Sequence, residues 1–331
     1  MREPALTTAL ERRGALVLDG GLATELERHG ADLSGGLWSA RVLIDRPDLV
    51  ASVHRDYLEA GADVITTASY QASVAGFAAL DVSAARAESL IGSSVGLATT
   101  ARDAFWADRA GRKDGPRSRP LVATSVGPYG AVLADGSEYR GGYGVPRAEL
   151  MRFHRDRLEV LAAAGVEVLA CETIPSLIEA EALVEAMSYW PDVTAWVSFS
   201  ARDGRRVSDG TPIARCAAFL DGCDQVLAMG VNCTPPENVS ELVRELTGAT
   251  GKPVAVYPNS GEGWDPVRRR WSGGAGDGSA VDFGTLSTRW YAEGARLIGG
   301  CCRTGPADIR AVAAALSREP HTRAIGRGAP N

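Results

Sequence analysis

The sequence predicts an α/β protein built as a single (β/α)8 TIM barrel, and three observations lead there. A unit made of a helix tail, a closing glycine and a short apolar strand recurs along the chain. Eight apolar runs of strand length alternate with stretches of helical periodicity. Most of the reactive side chains come directly after those runs.

The recurring unit is read from three places. Tyr57-Leu58-Glu59-Ala60-Gly61 leads into Ala62-Asp63-Val64-Ile65-Thr66-Thr67. Leu161-Ala162-Ala163-Ala164-Gly165 leads into Val166-Glu167-Val168-Leu169-Ala170-Cys171-Glu172. Tyr291-Ala292-Glu293-Gly294 leads into Ala295-Arg296-Leu297-Ile298-Gly299-Gly300-Cys301. A glycine closes each helix because the residue past the last turn commonly takes a left-handed conformation that costs glycine nothing. Glu172 and Cys301 each fall seven residues after their glycine, at equivalent strand ends.

In chain order, residues 5–13 read as a helix placed to seal the barrel bottom. Strands are expected at 16–18, near 64, at 121–124, near 168, at 195–199, 226–231 and 254–257, and near 297. Amphipathic helices lie between most of them, as at 147–164 and 236–246. A doubly wound open sheet is the alternative, since pattern alone does not show whether the sheet closes. The barrel is preferred because residues of chemical interest follow many different strands, and in a barrel those ends form one face. Long connections at 129–146, 201–211 and 259–282 leave from that face. The last is Gly-rich, carries Trp264 and Trp271, and reads as a lid. The 107–120 stretch leads into a strand and so belongs to the opposite face. Residues 1–331 are expected to form one domain with a polar tail from about 318.

Composition sets the broad class. Of the 331 residues, 45% are hydrophobic and 23% charged, as in ordinary soluble globular proteins. A net charge of -6 argues against nucleic-acid binding, and the short Arg268-Arg269-Arg270 run sits in Gly-rich sequence. No run approaches the ~18 apolar residues of a membrane span, and the N-terminus lacks a secretory pattern. The six cysteines are not spaced as a disulfide framework. A cytoplasmic monomer or small homo-oligomer acting on small molecules is expected, with no nucleic-acid or membrane partner.

The chemistry concentrates at cysteine. Cys301 and Cys302 follow an apolar run and a glycine pair and precede a helix that opens with Pro306. A vicinal disulfide there would be strained, because neighbouring Cα atoms lie only about 3.8 Å apart. Two thiolates on one zinc ion fit with less distortion. Cys233, in Gly-Val-Asn-Cys-Thr-Pro-Pro-Glu, repeats the strand–cysteine–helix arrangement. Three soft ligands and an open fourth position point to catalytic Zn2+ that holds an incoming thiol as thiolate. Thr234 and Glu237 read as a capping box on the helix behind Cys233. Cys171, Cys216 and Cys223 read as small buried hydrophobes, and none of His29, His54, His154 and His321 follows a strand. Asp19 and Glu172 are the carboxylates placed to hold an ammonium group, while Asn232 and helix-start amides suit a carboxylate. The implied substrate is a small amino-acid zwitterion carrying a thiol.

At these residues the chain resembles the homocysteine S-methyltransferase family over nearly its whole length. The segments that carry the resemblance are Leu18-Asp19-Gly20-Gly21, Thr67-Ala68-Ser69-Tyr70-Gln71-Ala72, Ser125-Val126-Gly127-Pro128-Tyr129-Gly130, Cys171-Glu172-Thr173, Gly230-Val231-Asn232-Cys233 and Gly299-Gly300-Cys301-Cys302-Arg303. The resemblance implies a (β/α)8 barrel with Cys233, Cys301 and Cys302 as zinc ligands. It also implies homocysteine sulfur as the exchangeable fourth ligand and methionine as the product. The Ser-Tyr-Gln run and the 133–140 loop look like the branch that uses S-methylmethionine or S-adenosylmethionine, not betaine. Glu172 and Asp19 are then expected to hold the amino group or position the donor, and Asn232 to orient the substrate. Tyr70 and Tyr129 would face the sulfonium, with Gln71, Ser125 and Thr173 completing the binding wall. A selenocysteine or other small-thiol methyltransferase is the nearest alternative. A non-catalytic zinc or redox-sensing barrel is the more distant one.

Overall fold

Eight strands hydrogen-bond side by side, every pair parallel, in a computed structural model that describes residues 3–33, 38–109, 118–261, 263–265, 270–272 and 281–319. They are β1 (Leu16–Val17), β2 (Val64–Thr66), β3 (Leu121–Val126), β4 (Val168–Ile174), β5 (Ala195–Phe199), β6 (Val226–Asn232), β7 (Val254–Tyr257) and β10 (Ala295–Ile298). Each lies beside its predecessor among these eight, from β2 through to β7, then β10, then β1. The ring closes between β1 and β2 through a parallel bridge from Leu18 to Val64, backed by the Asp63 amide donating to the Val17 carbonyl at 2.7 Å. Closure rules out the open sheet, and the architecture is a (β/α)8 barrel. All eight expected strand positions are occupied.

The two-residue period of the strands sorts side chains between two cores. Val168 and Ala170 of β4 join Trp196, Ala255 and Leu297 in the barrel interior, whereas Leu169 and Cys171 join the larger core beneath the helices. Cys171 and Cys216 are buried in that outer core and Cys223 packs against it, as expected of small hydrophobes. Helix Ala5–Arg13 contributes Leu6 and Leu10 to the interior cluster, so it plugs the barrel as its position suggested.

The closing glycines behave as their positions require. Gly61, Gly165 and Gly294 have φ of 118°, 82° and 119°. At Gly61 a side chain would also meet the Ala313 Cβ at 2.6 Å, so the turn and the packing both exclude larger residues.

Two connections shape the catalytic end of a barrel of this kind. After β3 the chain forms helix Tyr129–Leu133 and a 3-10 turn, Ser137–Tyr139, before helix Arg147–Ala163. After β7 it forms an antiparallel hairpin of β8 (Gly263–Asp265) and β9 (Arg270–Ser272), with Trp264 opposite Trp271. Residues 262, 266–269 and 273–280 of the expected 259–282 lid lie outside the described residues. So do residues 110–117 of the bottom loop and the tail from 320.

Candidate active site and metal centre

Three thiols meet where β6 and β10 end. Cys233 Sγ lies 3.2 Å from Cys301 Sγ and 3.5 Å from Cys302 Sγ, and no disulfide is formed. All three sulfurs fall within 4.8 Å of one another, with no fourth protein ligand among the described residues. Four sulfurs around a tetrahedral ion with ~2.3 Å bonds sit roughly 3.8 Å apart. Small side-chain rotations would therefore bring the three onto one ion, and the donor set fits a soft metal such as zinc.

The backbone around the cluster is interlocked. The Cys233 amide donates to Tyr257 O at 3.2 Å, Cys301 N to Pro258 O at 2.8 Å, and Ser260 N to Cys302 O at 3.1 Å. Gly21 passes so close that a Cβ there would sit 2.6 Å from the Cys301 carbonyl oxygen. Cys233 itself has φ of 49°, an uncommon conformation for a residue with a side chain. The Cys301 and Cys302 thiols and the Tyr139 hydroxyl all donate to the Cys233 sulfur, which holds this thiol well below its ordinary range. Its two partners are pushed up in turn, chiefly because each is hydrogen-bonded to the Cys233 sulfur, with burial and the charge on that sulfur adding to the shift.

The cysteines form one wall of a cavity whose empty space, counting the part open to solvent, is about 850 Å3. Asp19, Tyr70, Gln71, Ser125, Glu172, Thr173 and Asn232 line it too, so ten of the eleven anticipated residues converge. Burial pushes Asp19 up to about 7, against the Thr66 hydroxyl and amide that donate to its carboxylate, the amide at 2.6 Å. Glu172 is pushed up to about 8 by burial, opposed by hydrogen bonds from Ser125 and Tyr257. Trp196 Nε1 donates to the Tyr257 hydroxyl at 3.0 Å, linking Glu172 to the interior core. Among the described residues the lining holds three thiols and these carboxylates and no Lys or Arg, which suits cationic ligands.

Three expectations need correction. Tyr129 does not line the cavity. It opens its short helix, and its ring packs on Tyr143 and Phe153 with centroids 5.4 and 5.2 Å away. Asn232 acts mainly on the protein: Oδ1 accepts from Thr173 N at 2.7 Å and Nδ2 donates to Thr173 Oγ1 at 2.8 Å. It thereby holds Thr173 at φ of 60°. The capping box behind Cys233 is absent. Thr234 Oγ1 instead donates to Asn232 O at 2.9 Å and accepts from Ala201 N at 3.0 Å, and helix Pro236–Thr247 has no side-chain cap.

Sequence reasoning placed Glu138 and Tyr139 in the 133–140 loop without assigning them a site role, and the 3-10 turn delivers both into the cavity wall. Tyr139 Oη lies 3.4 Å from Cys233 Sγ, and burial raises Glu138 to about 7. Both lie in a connection without periodicity, where the signals were the resemblance of the 133–140 loop and an acidic–aromatic pair over the functional face.

Comparison with known proteins agrees with this geometry. The profile of the homocysteine S-methyltransferase family matches residues 16–316. Homocysteine S-methyltransferase YbgG of Bacillus subtilis is 51% identical over 299 residues, covering 90% of this chain and 93% of its own. Selenocysteine Se-methyltransferase of Brassica oleracea var. italica is 47% identical over 309 residues, covering 91% and 89%. The metallated crystal form of the homocysteine methyltransferase MmuM from Escherichia coli superposes with a TM-score of 0.83 at 46% identity, covering 93% of this chain and 99% of that one. With a family match across the barrel and close relatives that share the fold, the chain belongs to the homocysteine S-methyltransferase family of methyl-transferring enzymes.

Proposed function

We propose that the protein transfers a methyl group from a sulfonium donor, S-methylmethionine or S-adenosylmethionine, to homocysteine, forming methionine. The observation that carries this reading is the three-cysteine cluster opening onto a cavity with two buried, cation-seeking carboxylates. The thiol must lose its proton, and a free thiol of pKa ~8.5 is only a few per cent ionised at neutral pH. Zinc, when held by Cys233, Cys301 and Cys302, supplies the Lewis acidity that keeps the homocysteine sulfur deprotonated.

The remaining work is positioning by this chain's own side chains. Asp19 and Glu172 take the homocysteine ammonium, each ionising as the positive charge arrives. Tyr70, with its hydroxyl hydrogen-bonded to Thr173, offers an aromatic face to the sulfonium. The thiolate electron pair forms the new carbon–sulfur bond as the methyl carbon leaves the sulfonium. The broken bond's electrons stay on the departing sulfur, which becomes a neutral thioether. No acid or base acts on the methyl group, so proximity and alignment carry the rate.

The test is methionine formation by reduced, zinc-loaded protein given homocysteine and, separately, S-methylmethionine, S-adenosylmethionine and betaine. Turnover with a sulfonium and not betaine supports the reading; turnover with betaine alone defeats it. The 47% identity to a selenocysteine Se-methyltransferase favours one second reading, a selenol acceptor at the same site. Competition between homocysteine and selenocysteine for one donor decides between them.

A further inference from the structure

Two buried acceptors on the cavity wall lack donors. Glu138 is 8% exposed, and its Oε2 has no hydrogen-bond partner among the described residues. Gln71 is 4% exposed; its Nε2 donates to Ala131 O at 3.0 Å, which fixes the amide and leaves Oε1 buried without a donor. Both line the cavity. They also flank one element: Gln71 bonds to Ala131 of helix Tyr129–Leu133, and a Cβ on Gly130 would sit 2.6 Å from the Glu138 amide nitrogen. The Glu138 turn is pinned in place, since Ser200 Oγ donates to its carbonyl at 3.0 Å.

We propose that Glu138 and Gln71 form a second ammonium subsite, which binds the α-amino group of the methyl donor and restricts the donor to sulfonium amino acids. This rests on the proposed function above. Methyl transfer between two sulfurs requires two amino-acid ligands at once, and their ammonium groups need separate acceptors. Asp19 and Glu172 serve one; their oxygens already take Thr66 and Ser125. Glu138 Oε2 and Gln71 Oε1 offer the other, with no protein donor on either oxygen to displace. A buried carboxylate oxygen and a buried amide oxygen without donors are costly, and an ammonium supplies both N–H groups and positive charge. A donor lacking the amino group leaves both oxygens unsatisfied, and its own carboxylate gains nothing beside Glu138.

Initial rates over a grid of homocysteine and S-methylmethionine concentrations test this, using zinc-loaded wild type, Glu138→Gln and Gln71→Met. The donor KM is expected to rise at least roughly tenfold in Glu138→Gln and about threefold in Gln71→Met, as for loss of a charge-assisted and a neutral hydrogen bond. The homocysteine KM should stay within about twofold of wild type, the resolution of such a comparison. Gln71→Met reads the same subsite should Glu138→Gln fail to fold. An unmoved donor KM, an equal rise for both substrates, or a rise for homocysteine alone overturns the assignment. A wild type inactive with every sulfonium defeats the proposed function instead, so the two failures are distinguishable.

Discussion

Asp19 and Glu172 are held protonated near neutrality by burial, up to about 7 and about 8, although each accepts hydrogen bonds that favour its charge. An ammonium placed beside them reverses the balance, so homocysteine binding should release their protons as well as its own. Calorimetry on zinc-loaded protein at pH 7, in two buffers of different ionisation enthalpy, is expected to show more than one proton released per homocysteine. One or fewer removes these carboxylates from ammonium binding. His54 tests the same physics away from the site. Burial pushes it down to about 4, and neither ring nitrogen has a partner among the described residues. As pH falls below 6.5 the unfolded chain takes a proton that the folded protein refuses until about 4, so stability drains away across that window. His54→Leu should flatten this acid limb and match or exceed wild-type stability at pH 7, since no hydrogen bond is lost. Urea unfolding at pH 7, 5.5 and 4.5 checks it, and an unchanged limb refutes it. At this scale the sequence was most legible at cysteine, where strand, reactive residue and helix follow one another directly. It was least legible where a side chain's partner is remote: nothing near Asn232 shows that its amide serves Thr173, and nothing near Tyr129 shows its ring turning toward Phe153.

Strands announced themselves because burial on both faces makes them continuous apolar runs, and closing glycines marked where three of them begin. Connections carry no such constraint, which is why the sequence did not show the 3-10 turn within 133–140 or the pairing of 263–265 with 270–272. One helix residue organises the first of these connections. Ser176 and Glu179 have the spacing of a capping box, yet only half of it forms, with Ser176 Oγ accepting from Glu179 N at 3.4 Å. The Glu179 carboxylate is fully buried and faces the loop. It accepts from Tyr129 N at 2.6 Å and the Tyr143 hydroxyl at 2.8 Å, and lies 3.0 Å from His154 Nε2. This one side chain ties both ends of the segment that presents Glu138 and Tyr139. Glu179→Gln keeps the shape but turns the Tyr143 contact around, with the amide NH2 donating to the hydroxyl, and leaves a weaker, neutral amide acceptor for Tyr129 N and His154. We expect a loss of ~1–3 kcal/mol of stability and a fall in kcat, with faster hydrogen exchange confined to residues 129–146. Exchange that rises equally across the barrel would show a general destabilisation and remove the loop-specific role.

The molecule separates the part that holds it together from the part that reacts. Barrel and helix cores run through all eight parallel strands, whereas the three site thiols sit past the ends of β6 and β10, with only Cys301 packing against the interior cluster. Small zinc domains unfold without metal because they have little other core; a barrel of this size has its own. Chelation should therefore leave far-ultraviolet circular dichroism unchanged while lowering Tm, since a ligand bound only to the folded state stabilises it by mass action, about 4 kcal/mol at a thousandfold excess over Kd. The loss should be local first. The metal would bridge two strand ends with β7 between them, so hydrogen exchange should accelerate in residues 230–234, 257–260 and 299–304 before elsewhere. Cys301→Ala should behave as the chelated wild type does, with a lowered Tm, no further response to chelator, and no methionine formed. Unfolding on chelation would place the cluster among the fold's structural supports. A Cys301→Ala protein that still binds zinc and turns over would remove the three-cysteine centre from the reaction altogether. The expected outcome, a folded and inactive barrel, follows from where the sulfurs lie: close enough to share an ion, and past the ends of the strands that carry both cores.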